Sequence, residues 1–281
     1  MKLSLSRASA AMVLALFVIS SAGCTLVNKI RAKNELNETA RTYKEGHFEE
    51  AEQHAKRALE LDPNNPTAPI FIARVLHQQY KPQVPDPENV AKGHEAIDAY
   101  KRVLQSHPDN DEAYKAVSVL YSQLGDDKSL REWITARATN PDIKDDKRAE
   151  AYAILAGKDW DCAFKITEEN KSVSAEGGQG KVSYKKPKDP KDFETATKCA
   201  THGLEEVNNA LKFDANNENA WTYQASLFAV QAELAEMDGK EDQKAAALKK
   251  ADEARKRADV LREQNEKRKA QESPAPSGGG Q

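Results

Sequence analysis

The chain has 281 residues, of which 39% are hydrophobic, 31% charged and only 6% aromatic, with 13 Gly and 12 Pro. So few aromatics disfavour sandwiches and barrels, whose strands draw on aromatic and β-branched residues, and favour Ala-, Leu-, Lys- and Glu-rich helices packed through small side chains. Lys plus Arg total 42 against 45 for Asp plus Glu, a mildly acidic balance that argues against general nucleic-acid binding.

Lys2 and Arg7 precede Ala8 to Gly23, an uncharged stretch whose apolar centre runs from Ala10 to Ile19. A basic start, a short apolar run and small residues at its end read as an export signal; a membrane-spanning helix needs roughly 20 apolar residues, which weighs against an uncleaved anchor. The run closes Ser21-Ala22-Gly23-Cys24, which resembles the bacterial lipobox, where the cysteine is diacylated and becomes the new N-terminus. Ala22, Gly23 and Cys24 match that motif, and Ser21 stands where Leu is usual. Ordinary cleavage near Ala22 is the other processing route. The resemblance implies a signal peptide over 1–23, lipid on Cys24, a short tether over 24–31 and a bacterial cell-envelope address. Thr25, in place of an acidic residue, implies sorting to the outer membrane, facing the periplasm. Several acyl chains anchor far more firmly than one, at about 0.8 kcal/mol per buried CH₂.

Beyond the leader, four helix exits recur: Leu61-Asp62-Pro63-Asn64-Asn65, His107-Pro108-Asp109-Asn110, Asn140-Pro141-Asp142 and Phe213-Asp214-Ala215-Asn216-Asn217. Pro cannot continue a helix and Asn or Asp suits a turn, so each marks a stop and a fresh start. Before these stops, Gly46-His47-Phe48-Glu49-Glu50-Ala51 with Ala55, Ala58 and Pro63, and then Ala96, Tyr100, Val103 and Pro108, resemble the second helix of a tetratricopeptide repeat. Tyr114, Val117, Ser118 and Tyr121, and likewise Trp221, Ala225 and Phe228, resemble first helices of the same repeat. Small residues at these places let two helix backbones approach while a bulkier neighbour fills the groove. The resemblance, over roughly 32–264, implies an all-α fold: a right-handed superhelix of stacked antiparallel helical hairpins, a TPR-like α-solenoid.

Five hairpins are expected, over 32–65, 66–110, 111–141, 145–217 and 218–264. Extended loops are expected near 81–90, which holds Pro82, Pro85 and Pro87, and over 172–190, centred on Glu176-Gly177-Gly178-Gln179-Gly180. The basic run Lys181 to Lys191 reads as a solvated arm, with contact to anionic lipid as the other option. Residues 265–281 read as a disordered tail.

Apart from Cys24 the cysteines are Cys162 and Cys199, whose midpoint near 180 falls inside the second inserted loop. Residues equidistant from the turn of an antiparallel pair lie at one height, so a disulfide is feasible in an oxidising compartment; two unpaired buried thiols are the alternative. Six histidines make no HExxH or other dense ligand spacing, so no metal and no cofactor are expected. No GxSxG or phosphate-binding glycine loop occurs, and Glu168-Glu169 are adjacent helical residues that do not converge, so no enzyme is expected.

By position in the repeat, first-helix residues line the concave face. That places Leu36 and Tyr43, then Ile70, Arg74 and His77, then Lys115, Val119 and Ser122 in a candidate groove for a protein or peptide partner. Arg74 and Lys115 could pair with an acidic ligand, but the full carboxylate-clamp set of the family is not reproduced. A small-molecule ligand is not expected. The function implied is a membrane-anchored interaction scaffold in an envelope assembly, resembling in layout the repeat lipoproteins of outer-membrane protein insertion and pilus biogenesis. A non-catalytic docking subunit of a periplasmic enzyme or transport complex is the alternative.

Overall fold

The computed structural model describes the backbone of residues 5–176 and 179–272, and the side chains of 25–174 and 182–272. Among the described residues the fold is all-α, with one small two-stranded sheet. In chain order the elements are α1 (Leu5–Glu45), α2 (Phe48–Leu61), α3 (Ala68–Gln79), α4 (Pro87–Ser106), α5 (Asp111–Gln123), α6 (Asp127–Thr139), α7 (Asp145–Glu169), β1 (Lys171–Glu176), β2 (Gln179–Tyr184), α8 (Pro190–Phe213), α9 (Glu218–Met237) and α10 (Glu241–Glu272). The chain clusters into two compact units, 1–130 and 131–281. Helical repeats bury surface only against their neighbours, so such a chain need not share one core.

The turns between helix pairs repeat one geometry three times. At Asp62, His107 and Asp214 the chain leaves a helix at φ −135°, −136° and −143°, with the N–H still bonded to the carbonyl of Ala58, Val103 and Ala210. Three residues on, the N–H of Asn65, Asn110 and Asn217 donates back to the carbonyl of the exit residue. The side-chain Oδ1 of each Asn then accepts from the N–H of Ala68, Ala113 and Ala220, at 3.1, 2.9 and 2.9 Å; Asn110 and Asn217 are thereby the N-caps of α5 and α9, while Asn65 stands two residues before Thr67, the N-cap of α3. All three alanines are fully buried. Pro63 and Pro108 were expected among the packing residues, but both are exposed in these turns. The third turn has Ala215 at that place with the same hydrogen bonds, so the Asn rather than the Pro carries the geometry.

Inside the pairs a second turn recurs. Gly46, Gly125 and Gly239 adopt φ +81°, +70° and +69°, and the residue after each donates to the carbonyl five positions back, at Thr42, Tyr121 and Ala235. This is a left-handed helix exit, and nothing crowds the missing Cβ, so it is the backbone conformation that requires glycine. The other two pairs carry their insertions at this place. Between α3 and α4 the chain loops over 80–86, shorter than the expected 81–90 because Pro87 opens α4 and Asp86 caps it through the N–H of Asn89. Buried Asn89 holds the loop: its Oδ1 accepts from the Lys81 N–H, and its Nδ2 donates to the carbonyls of Lys81 and Val84, each at 2.8 Å.

Between α7 and α8 the segment expected as an extended loop is a β-hairpin, with Val173 opposite Val182 and Lys171 opposite Tyr184. Alternating residues on both sides of a Gly-Gly pair are the signal that a loop reading passes over. Two further boundaries also differ. Residues 24–31 are helical within α1, since Thr25 to Arg31 contain neither Gly nor Pro to stop the helix. Helix α10 continues to Glu272, so 265–272 are helical, with Asn265 Nδ2 donating to Glu218 at 2.9 Å and Lys267 paired with Glu263 one turn back. The side chains of Ser21 to Cys24 and the whole of 273–281 lie outside the described residues.

Within unit 2, contacts rise along one helix as they fall along its partner, which fixes the pairs as antiparallel. Tyr152 stacks on Phe213 at 5.8 Å, Asp159 bonds His202, and Cys162 is joined to Cys199 with S–S 2.03 Å and Cα–Cα 6.1 Å. Glu236 to Lys244, Phe228 to Lys250 and Glu218 to Arg262 do the same for α9 and α10. In unit 1, Tyr43 meets Phe48 and Glu35 meets His54 across α1 and α2. Closest approaches fall at small residues. A Cβ on Gly203 of α8 would sit 2.8 Å from Leu227 and 3.1 Å from Asp159.

Candidate interaction surfaces

The expected repeat-packing positions Ala51, Ala58 and Ala96 are fully buried, and Tyr100, Tyr114 and Tyr121 nearly so. Trp221 and Phe228 are half-buried; the Trp221 indole N–H donates to the Ala215 carbonyl at 2.9 Å, and Lys250 lies over the Phe228 ring.

The candidate groove residues divide in two. Arg74, expected to be available for an acidic ligand, is already bound: Nε and Nη2 donate to the two carboxylate oxygens of Glu112 at 2.5 and 2.6 Å, and the guanidinium lies 5.7 Å from the Phe71 ring centroid. This fork links α3 to α5. The Arg74 hydrogen bond holds the Glu112 carboxyl below its ordinary range, and the guanidinium is stabilised in turn. His77 packs edge-on to Tyr100, whose phenol lies 3.4 Å from its Nδ1. Burial lowers the His77 pKa and raises that of Tyr100. Both groups are therefore uncharged at neutral pH and serve the packing between α3 and α4. Leu36, Tyr43 and Ile70 are half-buried. Lys115, Val119 and Ser122 are exposed, and their spacing of four and three residues places them on one face of α5. Val119 is 45% exposed, an apolar side chain presented to solvent.

Unit 2 gathers charge around a buried carboxylate that sequence reading did not single out. The Asp159 side chain, only 6% exposed, accepts from Arg131 Nη2 at 2.6 Å and meets His202 Nδ1 at 2.6 Å. The other ring nitrogen of His202 lies 3.7 Å from Glu206. The Asp159 hydrogen bond raises the His202 pKa, while burial pushes the Glu206 carboxyl up. Asp159 and Cys162 are three residues apart on α7, and Cys199 and His202 three apart on α8, so this lock and the disulfide bridge the same two helices one turn apart. An Asp–His pair can orient an imidazole for proton transfer, but here the outward nitrogen faces a carboxylate rather than a hydroxyl or thiol. Among the described residues no three His, Cys, Asp or Glu side chains converge as a metal ion requires.

The β-hairpin is fastened to α9 at its base. The Tyr184 N–H donates to Glu236 at 3.1 Å, Lys186 pairs with Asp238, and burial beside Glu233 raises the Tyr184 phenol to about 12. Its valine pair faces outward. A cleft of about 290 Å³ opens beside it, lined by Phe193, Thr197, Ala200, Leu234, Asp238 and Ala247. Among the described residues no helix is long and apolar enough to cross a membrane.

These features define an all-α protein of packed helix pairs with open faces. Among solved structures the chain is similar to MamA 41-end from Desulfovibrio magneticus RS-1, at 15% identity and TM-score 0.38 over 80% of this chain and 96% of that one. It is also similar to YrrB, described as a TPR protein with an unusual peptide-binding site, at 13% identity and TM-score 0.37 over 82% and 90%. A tetratricopeptide repeat protein from Parabacteroides merdae ATCC 43184 matches at 14% identity and TM-score 0.34 over 83% and 96%. At such scores the likeness carries no functional argument, and the fold rests on the helix pairs themselves. No family profile and no curated protein matches the sequence.

Proposed function

We propose that the chain is a membrane-tethered scaffold of the bacterial envelope that binds protein or peptide partners on the exposed faces of its helix pairs. The observation that carries the reading is the recurrence of one turn at Asn65, Asn110 and Asn217, in which the Asn Oδ1 accepts from the N–H of a fully buried alanine three residues on. Such a chain is a series of similar hairpins, and hairpins in series generate extended open surface in preference to an enclosed reaction chamber. The face of α5 bearing Lys115, Val119 and Ser122 is the leading contact surface in unit 1. The tether is Cys24, supported by the Ala22-Gly23-Cys24 match, and Thr25 supports the outer membrane as its destination.

Cell fractionation of a Cys24→Ala variant tests the tether. The wild-type chain should partition with membranes and resist salt extraction, whereas the variant should accumulate as an uncleaved precursor or a soluble protein. Unchanged processing and partition would remove lipid attachment from the account.

A further inference from the structure

Helix α1 has two faces just after the proposed lipid site. Ala32 is fully buried, packed with Ala58 and Ala68 of α2 and α3. Leu26, Val27 and Ile30 are 63%, 47% and 56% exposed. At about 100° per residue, Ile30 stands about 200° from Ala32 and lies between Leu26 and Val27 around the helix. The three apolar side chains therefore form one stripe on the side of α1 opposite the packed one. Lys29 and Arg31 flank that stripe, and Lys33 extends it by a turn; all three are exposed. No acidic residue occurs between Cys24 and Glu35.

We infer that this face of α1 lies in the headgroup layer of an anionic bilayer, with Leu26, Val27 and Ile30 dipping toward the acyl chains and Lys29, Arg31 and Lys33 meeting lipid phosphates. The charge pattern selects this occupant. A stripe of large aliphatics flanked by cations, with exposed Asn34 a turn beyond Ile30 and no acidic residue before Glu35, is the arrangement of an interfacial helix, whose long basic side chains keep their stems on apolar surface and their heads among anions. Proximity supplies the second argument. A lipid on Cys24 would hold Leu26 and Ile30 within one and two helical turns of the membrane, so the stripe has only a short distance to settle. The inference rests on the tether for where the bilayer stands, and on the two faces of α1 for what meets it. It gives the anchor a second function: a helix lying along the surface fixes the orientation of unit 1, which a lipid on a swivelling stalk would not.

The full chain carrying Ile30→Cys, with a nitroxide-quenchable fluorophore on the new thiol, is reconstituted into vesicles of phosphatidylcholine and phosphatidylglycerol. The same label at the exposed α2 position Glu60→Cys is the control. Label at 30 should be quenched severalfold more by lipid-borne nitroxide than label at 60, and less by aqueous iodide. Replacing Lys29→Ala or Arg31→Ala should each shift the bound equilibrium about fivefold toward the detached state. Equal quenching at 30 and 60 by both reagents would overturn the inference. So would protection of position 30 from both quenchers that rises with protein concentration, which would assign the stripe to a second copy of the chain. Mass analysis of the N-terminus on the same sample separates the two readings. Lipid on Cys24 without quenching at 30 removes only this inference, whereas quenching at 30 with an unmodified Cys24 removes only the tether.

Discussion

Gly203 is a place in unit 2 where a single added methyl meets neighbours that are themselves held fast. On the observed backbone its Cβ would lie 2.8 Å from one methyl of Leu227, 3.0 Å from the other and 3.1 Å from the Cβ of Asp159. Leu227 is fully buried, and Asp159 is held by Arg131 and His202, so neither can retreat without moving another contact. Two effects of Gly203→Ala oppose each other. Alanine in a helix interior is favoured over glycine by about 1 kcal/mol, and overpacking a tight core costs about 1–3 kcal/mol. The balance is a net loss of about 1 kcal/mol, or roughly 2–4 °C in the midpoint of thermal unfolding for a unit of this size. Circular dichroism melts read the sign directly. A second substitution checks the cause: Leu227→Ala alone leaves a cavity and costs about 2–5 kcal/mol, but in the Gly203→Ala background it makes room for the new methyl and should cost at least 0.5 kcal/mol less, roughly the floor for coupled neighbours. If Gly203→Ala instead raised the midpoint, helix propensity would have won and the close approach of α8 to α9 would be refuted.

Other outcomes follow from named contacts. Asn217→Ala removes the cap on α9 and should destabilise unit 2 by about 1 kcal/mol in urea titration, whereas Asn217→Asp should retain most of it; equal losses would deny the cap. Replacing Cys162 and Cys199 together by alanine opens a loop spanning 37 positions and should cost about 4 kcal/mol on the chain-entropy account, read as a lower denaturation midpoint unchanged by added reductant. An unaltered midpoint would mean that the bridge does not constrain the unfolded chain. The His202 pKa is raised in the folded state by Asp159, so its stabilisation is fully present below the ordinary histidine value of 6.5 and fades as pH rises through the raised one. Wild type should therefore exceed His202→Gln in stability by more at pH 6 than at pH 8, by a modest margin since the ring is half exposed; a difference that grows toward pH 8 would contradict the assignment.

Much of the helical framework was legible in the residues because its punctuation is local. Asn65, Asn110 and Asn217 act through their own turns, so a one-dimensional reading meets the cause itself, whereas Gly125 and Gly239, equally local through their own φ angles, were passed over. What depends on a distant partner was not legible. Arg74 reads as a free cation until Glu112, 38 residues away, is seen to bind it. Asp159 reads as one more helical acid until folding places Arg131 and His202 on either side. The hairpin over 171–184 was missed for another reason: Lys- and Ser-rich alternation resembles a solvated loop, and only cross-strand pairing reveals a ribbon. Likewise Leu26, Val27 and Ile30 read as part of a tether, until Ala32 shows which side of α1 is packed.

The scaffold reading is tested most directly by photo-crosslinking in intact cells from a benzophenone side chain at Val119 on α5, compared with one at the exposed α2 position Arg57. The account predicts discrete crosslinked species from position 119, competed away when Val119's neighbours Lys115 and Ser122 are changed to bulky residues, and little from position 57. Equal, diffuse crosslinking from both positions would show that the α5 face holds no partner and would contradict the account.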